Sequence, residues 1–285
     1  MKKWMTIMAA SLLTFSLAAC NSTATPTSET AEENTSKLTL EQVFEKSLSQ
    51  SETIESLSAT LEMSQLIEMP SQAVSMNTTS DLTMDMVVEP LSIYQKGTTT
   101  MAVPGDASTT EPQDIEIESY MTEDGFFMYE NMTKQWMKLP PEMYNQMMAM
   151  SESQADPAQQ LKDLQPFMKD FTFEQTDTEY VLKLAASGEQ FNELIQKQLT
   201  EMMPEAMVEE EELLKGLSIE KVNYEIFIDK ETFNTTALNM IMDMTMAVEG
   251  EEMKLSQDLK SIFSNYNKVE PIKVPQEVLD SAQEM

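Results

Sequence analysis

A methionine stands at every second position of the stretch NMIMDMTM, residues 239–246. Successive side chains of a β-strand point to opposite faces of the sheet, so a period of two is typical of a strand. Four methionines share one face, and Leu238 and Val248 extend their row. The opposite face is more polar. The stretch therefore predicts a strand with one apolar face, which either packs in a core or lines a cavity.

The same alternation recurs in two earlier segments. SLSATLEMSQLIE places Leu61 and Met63 on one face, and SMNTTSDLTMDMVVEP does the same for Leu82, Met84 and Met86. Methionine re-packs around different shapes and is favoured on adaptable apolar binding surfaces. We therefore predict one ligand-binding cavity face, made of Leu61, Met63, Leu82, Met84, Met86, Met240, Met242, Met244 and Met246.

The order of strand and helix patterns indicates the fold class. Apolar residues at helical spacing follow Thr39, a plausible N-cap, and two short helices separated by the polar SESQAD follow Pro140-Pro141. A further helix is expected over residues 187–207, and strands elsewhere, with turns at Asp124-Gly125 and over Glu249–Glu252. This order predicts an α+β fold: one large curved antiparallel sheet, an incomplete β-barrel, with helices packed on its concave face.

The amino terminus has the features of a lipoprotein signal peptide. Two lysines precede an apolar run that is too short to span a membrane, and the run ends at LAAC, Leu17 to Cys20. LAAC resembles the bacterial lipobox, in which the cysteine receives a diacylglycerol thioether and becomes the new amino terminus. The pattern predicts a signal peptide over residues 1–19 and lipidation of Cys20, the single cysteine of the chain.

The residues after Cys20 are polar and lack aromatic side chains, which is typical of a disordered tether. We predict such a tether over residues 20–36 and a single domain over residues 37–285. Two or three acyl chains, palmitate among them, make membrane anchoring stable where one chain is marginal. The expected location is therefore the extracytoplasmic face of the bacterial cell membrane, with the lipid as the attachment.

Charge and composition exclude several classes of function. The net charge is −31, and it becomes two units more negative when residues 1–19 are removed. A phosphate backbone would be repelled, so nucleic acid is excluded as a partner. The absence of histidine, the single cysteine and only six glycines argue against acid–base, thiol and phosphate-loop chemistry. We predict a non-enzymatic monomer without a cofactor.

Three interpretations of the methionines remain open at this stage. The methionines fill an ordinary core, line an adaptable apolar pocket, or bind Cu(I), which thioethers suit. Met143, Met147, Met148 and Met150 are close together in sequence. However, side chains two residues apart on one strand face are nearly 7 Å apart, and histidine is missing, so we expect no metal site.

Two longer blocks carry a resemblance to a known family. YMTEDGFFMYENMTKQWMKLP contains a glycine turn and a tryptophan, and FSNYNKVEPIKVPQEVLDSA leads through a valine-proline pair towards a carboxyl-terminal helix. With the lipobox, both blocks resemble a family of Gram-positive surface lipoproteins of unknown function, which is in turn similar to the LolA/LppX-type lipoprotein carriers. The resemblance implies a half-barrel whose cavity is covered by helices, in a superfamily where some members carry acyl chains.

Two functions are consistent with these features. The first is a membrane-anchored lipoprotein that binds or carries a lipid or another apolar ligand in a half-barrel cavity. The alternative is a structural or interaction module of the cell envelope with a filled core and no ligand. A carrier should have a connected cavity beneath its helices, whereas a structural module should have a core without voids.

Overall fold

The computed structural model of the protein describes residues 23–28, 31, 35–102, 112–131, 133–154, 157–186, 216–248 and 251–284. The described residues form one sheet of 13 strands. In chain order the strands are β1 (Thr25–Pro26), β2 (Ser56–Met69), β3 (Val74–Val87), β4 (Ser92–Ala102), β5 (Gln113–Thr122), β6 (Gly125–Glu130), β7 (Gln135–Lys138), β8 (Phe171–Gln175), β9 (Glu179–Ala186), β10 (Leu217–Asp229), β11 (Thr235–Val248), β12 (Glu251–Ser264) and β13 (Gln283–Glu284). The predicted alternating stretches are therefore strands.

In the described part of the chain, the helices are few and short. They are α1 (Leu40–Ser51), α2 (Pro141–Gln154), α3 (Pro157–Leu164) and α4 (Gln276–Ser281), with 3-10 turns at Pro70–Gln72 and Gln165–Asp170. Thr39 is the N-cap of α1, as predicted: its hydroxyl accepts from the Gln42 N–H, and the Gln42 side chain accepts from the Thr39 N–H at 3.0 Å. The predicted spacer SESQAD is wrong in part, because α2 continues through Gln154. Glutamate and glutamine, which stand at two of these positions, are good helix formers because they lose little rotamer freedom in a helix.

The sheet is open. Its strand order is β1-β8-β9-β10-β11-β12-β2-β3-β4-β5-β6-β7-β13. All neighbours pair antiparallel except the two edge pairs, β1 with β8 and β13 with β7. The edge strands β1 and β13 stand at opposite ends of this order, so the sheet forms an incomplete barrel.

The middle of the sheet curves around a partly enclosed space. Ile93 on β4 and Ile226 on β10 line the same cavity of about 400 Å³, although five strand spacings separate them. In a flat sheet, five spacings would place these strands about 24 Å apart. The helices α1, α2 and α3 also contribute to the cavity wall. Curvature with helices on the concave side confirms the predicted α+β architecture.

Three hydrophobic clusters hold the layers together. The first joins α1, α3 and the 3-10 turn after it to β8, β9 and β10, with Val43, Phe44 and Leu182 fully buried. The second lies under α2 around Leu57 and Met86. The third lies on the opposite face, where Phe127 of β6 contacts Val278 of α4. The carboxyl-terminal helix therefore covers the convex face, unlike the other helices.

The prediction of a disordered tether over residues 20–36 is wrong for its described part. Thr25 and Pro26 form β1 alongside β8, and Thr23 makes an isolated bridge to Thr39. Ala24 is buried in the first hydrophobic cluster. Small residues here fit against the sheet edge, and edge backbone groups readily pair with another segment. The ordered unit therefore begins before residue 37.

Several predictions fall on residues that the structure does not describe. They are the signal peptide over residues 1–19, the lipidation site Cys20, the helix over residues 187–207 and the centre of the turn within Glu249–Glu252. Among the described helices, none is long and apolar enough to cross a bilayer. The Asp124-Gly125 turn is present between β5 and β6, as predicted.

Candidate functional site

The main candidate site is the cavity between the concave face of the sheet and the helices. It has a volume of about 400 Å³, within the range of small-molecule sites. None of the described lining residues carries a charge, although 24% of the chain is charged. The lining residues are Ser51, Ile54, Leu57, Ala59, Leu61, Met84, Met86, Ile93, Ser151, Leu161, Leu164, Ile226, Thr235, Leu238, Leu259, Ser261, Phe263 and Tyr266.

The strand register places the nine predicted residues on one face of the sheet. Residues directly opposite each other on neighbouring strands share a face. Met240 pairs with Leu259, which pairs in turn with Met63 of β2. The same face of β2 then contacts β3 through the pairs Leu61 with Leu82, Ala59 with Met84, and Leu57 with Met86. The alternation alone predicted each stripe, and the register brings the stripes together.

Only some of these residues line the cavity. Leu61, Met84 and Met86 form part of its wall. Met63 and Leu82 are half-buried on the same face, outside that wall. Met240, Met242 and Met244 pack against the first hydrophobic cluster, and Met246 is half-buried opposite Met253. On β11 the cavity therefore begins at Leu238, next to the end of the methionine row. A binding role for the six predicted residues outside the wall stays a prediction.

The wall includes residues that were not singled out from the sequence. Leu161 and Leu164 of α3, together with Ile54 after α1, close the cavity from the helical side. On β12, Leu259, Ser261 and Phe263 contribute alternate side chains. The alternation of β12 was a sufficient signal for these three. Nothing in the sequence indicated which face of α3 would meet the sheet.

The helices over the cavity are fixed by contacts at their ends. The Tyr144 hydroxyl of α2 donates to the carbonyl of Thr122 at 2.7 Å, and Met147 and Met148 pack on the second hydrophobic cluster. Lys162 of α3 is 3.3 Å from Glu52, which follows α1. Met143 of the methionine group in α2 is exposed instead. The cover is therefore attached on two sides.

The polar groups of the described cavity wall are neutral, and two of them, Ser51 and Tyr266, are hydrogen-bonded. The Ser51 hydroxyl donates to the carbonyl of Ser47 at 2.9 Å, and the Tyr266 hydroxyl donates to the carbonyl of Thr235. Burial raises the pKa of Tyr266 well above its usual value, so the phenol stays protonated at neutral pH. These groups offer no counter-charge to an ionised ligand. The cavity suits an uncharged, apolar group.

A second recess of about 390 Å³ lies on the convex face and has a different character. Its polar groups bond to one another: Ser58 donates to Asp85, Asn265 donates to Ser58, and Tyr94 donates to Glu118 at 2.9 Å. Burial and the bond to Glu118 raise the pKa of Tyr94. This recess is shallow, and its lining mixes tyrosines with charged side chains. The less open, apolar cavity is therefore the better candidate site for an apolar ligand.

The acidic side chains do not form a metal centre in the described part of the chain. No group of three or more histidine, cysteine, aspartate or glutamate residues converges there. The described residues thus give no oxygen or nitrogen cluster to which hydrolytic metal chemistry could be assigned.

Comparison with solved structures gives distant similarities. Lipovitellin, in a structure of lipid–protein interactions, matches over 77% of this chain and 26% of its own, with 6% identity and a TM-score of 0.30. This chain thus spans about a quarter of the lipovitellin chain. A DUF1329 family protein from Desulfovibrio piger matches with 9% identity over 81% of this chain and 95% of its own, with a TM-score of 0.22. A β-barrel-like DUF1849 protein from Brucella abortus gives 8% identity, 74% and 100% coverage, and a TM-score of 0.18.

Sequence comparison places the chain in a family. The search of curated proteins found no match. A family model does match, and it extends from Thr39, the N-cap of α1, to Gln283 in β13, so it includes all the elements that form the cavity. Because residues 39–283 are most of the chain, this protein belongs to the Family of unknown function (DUF6612).

Proposed function

We propose that this protein is a lipid-anchored, non-enzymatic lipoprotein of the extracytoplasmic membrane face, and that it binds the hydrocarbon part of an apolar ligand. The observation that carries the proposal is the partly enclosed cavity of about 400 Å³, whose described lining residues are all uncharged. A monomeric domain filled like an ordinary core has few voids larger than a water molecule. A space of this size, walled mainly by aliphatic side chains and methionine, is typical of a ligand site.

The volume of the cavity sets the size of the ligand. A methylene group is similar in size to a water molecule, which occupies about 30 Å³ in the liquid. A cavity of about 400 Å³ therefore holds about 13 such groups. That corresponds to one acyl or alkyl chain of medium length. Two or three chains together would not fit.

The chemistry of the wall determines which part of a lipid enters. An ionised carboxylate or phosphate inside an apolar space is strongly disfavoured unless a counter-charge meets it. The described part of the wall supplies none, since its polar members are serine, threonine and tyrosine. A charged headgroup would therefore stay at the mouth, and the hydrocarbon chain would occupy the interior.

The expected affinity is moderate. Burial of about 13 methylene groups contributes about 10 kcal/mol. Association and ordering of the chain cost several kcal/mol of this amount. With a cost of at least about 4 kcal/mol, about 6 kcal/mol or less remains, which corresponds to a dissociation constant of tens of micromolar or weaker. Such an affinity suits a protein that both takes up and releases its ligand.

The anchoring part of the proposal rests on the sequence. Residues 1–19 and Cys20 have the signal-peptide and lipobox pattern, and the resemblance to LolA/LppX-type carriers supports the same location. Cells that express the wild type should incorporate labelled palmitate into this protein, and Cys20→Ser should abolish that incorporation. Equal labelling of both forms, or none of the wild type, would contradict the anchor.

The binding part is tested by filling the cavity. Leu61→Trp should reduce uptake of a fluorescent dodecyl probe at least tenfold, because Leu61 lines the wall. Leu82→Trp is the matched control: Leu82 is the cross-strand partner of Leu61, is half-buried on the same face and lies outside the wall. The cavity would be refuted as the site if both variants lost binding. It would also be refuted if the wild type and both variants showed no saturable binding.

One observation favours the alternative of a ligand-free envelope module. Met240, Met242 and Met244 pack against the first hydrophobic cluster, so a large part of the methionine face acts as core. In that case the protein would show no saturable binding of any apolar probe, while folding and membrane attachment would be unchanged. The probe titration on the wild type separates the two functions.

A further inference from the structure

The segment just after the lipidation site is built into the sheet. Gln175, the last residue of β8, is fully buried. Its Nε2 donates to the carbonyl of Ala24 at 2.8 Å, and its Oε1 accepts from the backbone N–H of Ser36 at 2.9 Å. One buried amide group thus holds the amino-terminal segment at two separate points, one near its start and one near its end.

Additional contacts fix the same segment. The backbone N–H and the hydroxyl of Thr27 both donate to the Gln175 carbonyl, at 3.0 and 3.1 Å. The Tyr180 hydroxyl donates to the Ser36 hydroxyl at 2.6 Å. If the segment left the sheet edge, the buried amide of Gln175 would lose its partners, which is costly in an apolar surrounding. The docked state is therefore strongly preferred.

The docked segment leaves a very short distance to the anchor. Thr23, at the start of the docked segment, bridges to Thr39 at the beginning of α1. Cys20 precedes Thr23 by three residues. Three residues span at most about 11 Å when fully extended.

We propose that this docking holds one edge of the sheet against the membrane: the edge made by β1, β8 and the first turn of α1. The inference rests on the proposed lipidation of Cys20 and adds an orientation to it. A free tether of about 18 residues would have a root-mean-square reach of about 23 Å, and the domain would sample many orientations. The docked chain instead places a defined edge within about 11 Å of the lipid attachment.

The charges near this edge are compatible with a lipid surface. The chain as a whole is strongly acidic and would be repelled by anionic lipids. Next to the docked segment, however, exposed Lys37 accompanies Glu41, and exposed Lys169 accompanies Asp170 before β8. The segment itself contains Glu29, Glu32 and Glu33, so this edge suits a neutral rather than an anionic lipid surface.

Insertion of a flexible linker tests the docking without altering the fold. The lipidated full-length protein is reconstituted in phosphatidylcholine vesicles, with a donor dye on Thr172→Cys, an exposed position of β8, and acceptor dyes on the lipid headgroups. An insert of six Gly-Ser dipeptides between Ser22 and Thr23 makes the docked connection about five times as long in sequence. Its reach then rises about twofold, to about 21 Å, and energy transfer should fall sharply. In an undocked tether the same insert would change the reach by only about a third.

A second variant tests Gln175 itself. Gln175→Ala should release the segment, which lowers energy transfer and exposes residues 23–28 to limited proteolysis. Gln135→Ala removes an exposed amide of β7 and is the matched control, which should change neither. Energy transfer that is nearly insensitive to the insert would overturn the docking and leave the anchor intact. Failure of the wild type to associate with vesicles would overturn the anchor, and with it this inference.

Discussion

Glutamine in place of methionine at two positions should separate ligand binding from stability. Met84 lines the cavity, whereas Met244 packs against the first hydrophobic cluster. Both side chains are half-buried on long central strands of the sheet. Each substitution introduces one amide at a similar side-chain volume. The pair therefore differs mainly in whether the amide meets a cavity or a packed core.

At Met244, we expect the substitution to lower the stability of the fold. Its cross-strand neighbours are Leu255 on β12 and Ile219 on β10, neither of which can bond an amide. An unpaired polar group in such a place costs about 1–3 kcal/mol. Met244→Gln should therefore lower the free energy of unfolding by about 2 kcal/mol and leave probe affinity nearly unchanged.

At Met84, we expect the substitution to lower the affinity for the ligand. Without ligand, water in the cavity can satisfy the new amide, so the free energy of unfolding should fall by less than about 1 kcal/mol. A bound hydrocarbon chain would displace that water and leave the amide unpaired, which costs about 1–3 kcal/mol. Affinity for a dodecyl probe should thus fall about 5- to 150-fold, since about 1.4 kcal/mol is tenfold.

Urea unfolding and probe titration on the wild type and both variants measure the two quantities. Equal slopes in the unfolding curves are needed for the comparison of stabilities. If Met84→Gln lost as much stability as Met244→Gln while binding stayed unchanged, the wall at Met84 would be ordinary core, and the assignment of the cavity would be refuted.

Three further changes have definite expected outcomes. Ser47→Ala should raise the free energy of unfolding by about 1 kcal/mol in a urea melt, because the buried Ser47 hydroxyl has no hydrogen-bond partner in the described part of the chain and alanine is the better helix former; a loss of stability would contradict this. Thr39→Ala should lower stability by about 1 kcal/mol through loss of the capping box of α1, and Thr39→Ser should restore most of it. Burial raises the pKa of Tyr266 above the unfolded value of about 10, so the contribution of this tyrosine to stability is complete below pH 10 and is lost as the pH rises further. Between pH 9 and 11 the free energy of unfolding of the wild type should therefore fall by about 1 kcal/mol more than that of Tyr266→Phe. Equal losses in both proteins would contradict the direction of the pKa shift.

Local pattern was sufficient to predict the strands and their apolar faces. The period of two is a property of the strand itself, so the methionine row of β11 and the stripes of β2 and β3 could be identified without knowledge of their neighbours. The Thr39 cap was equally local, because both partners of the capping box lie within one helical turn. The α+β class followed from the order of these elements.

The pairing of strands that are distant in the chain could not be predicted from the sequence. The neighbours β12 and β2 come from opposite ends of the chain, and their register decides that Leu259 and Met63 meet. The course of the amino-terminal segment depends on Gln175. The alternation of β8 places Gln175 on the buried face with Phe171 and Phe173, but its partners Ala24 and Ser36 are distant in the chain and could not be identified from local pattern. The boundary between cavity and filled core likewise depends on where α3 meets the sheet, which periodicity does not specify.

The most direct test of the proposed function is a calorimetric titration of the purified domain with neutral n-alkanols of 8 to 18 carbons. A cavity of about 400 Å³ without charge predicts one site per chain, a negative heat-capacity change, and an affinity that rises with length up to about 13 carbons and then levels off or falls. Absence of saturable binding at every chain length would contradict the proposal and leave the methionine faces as core alone.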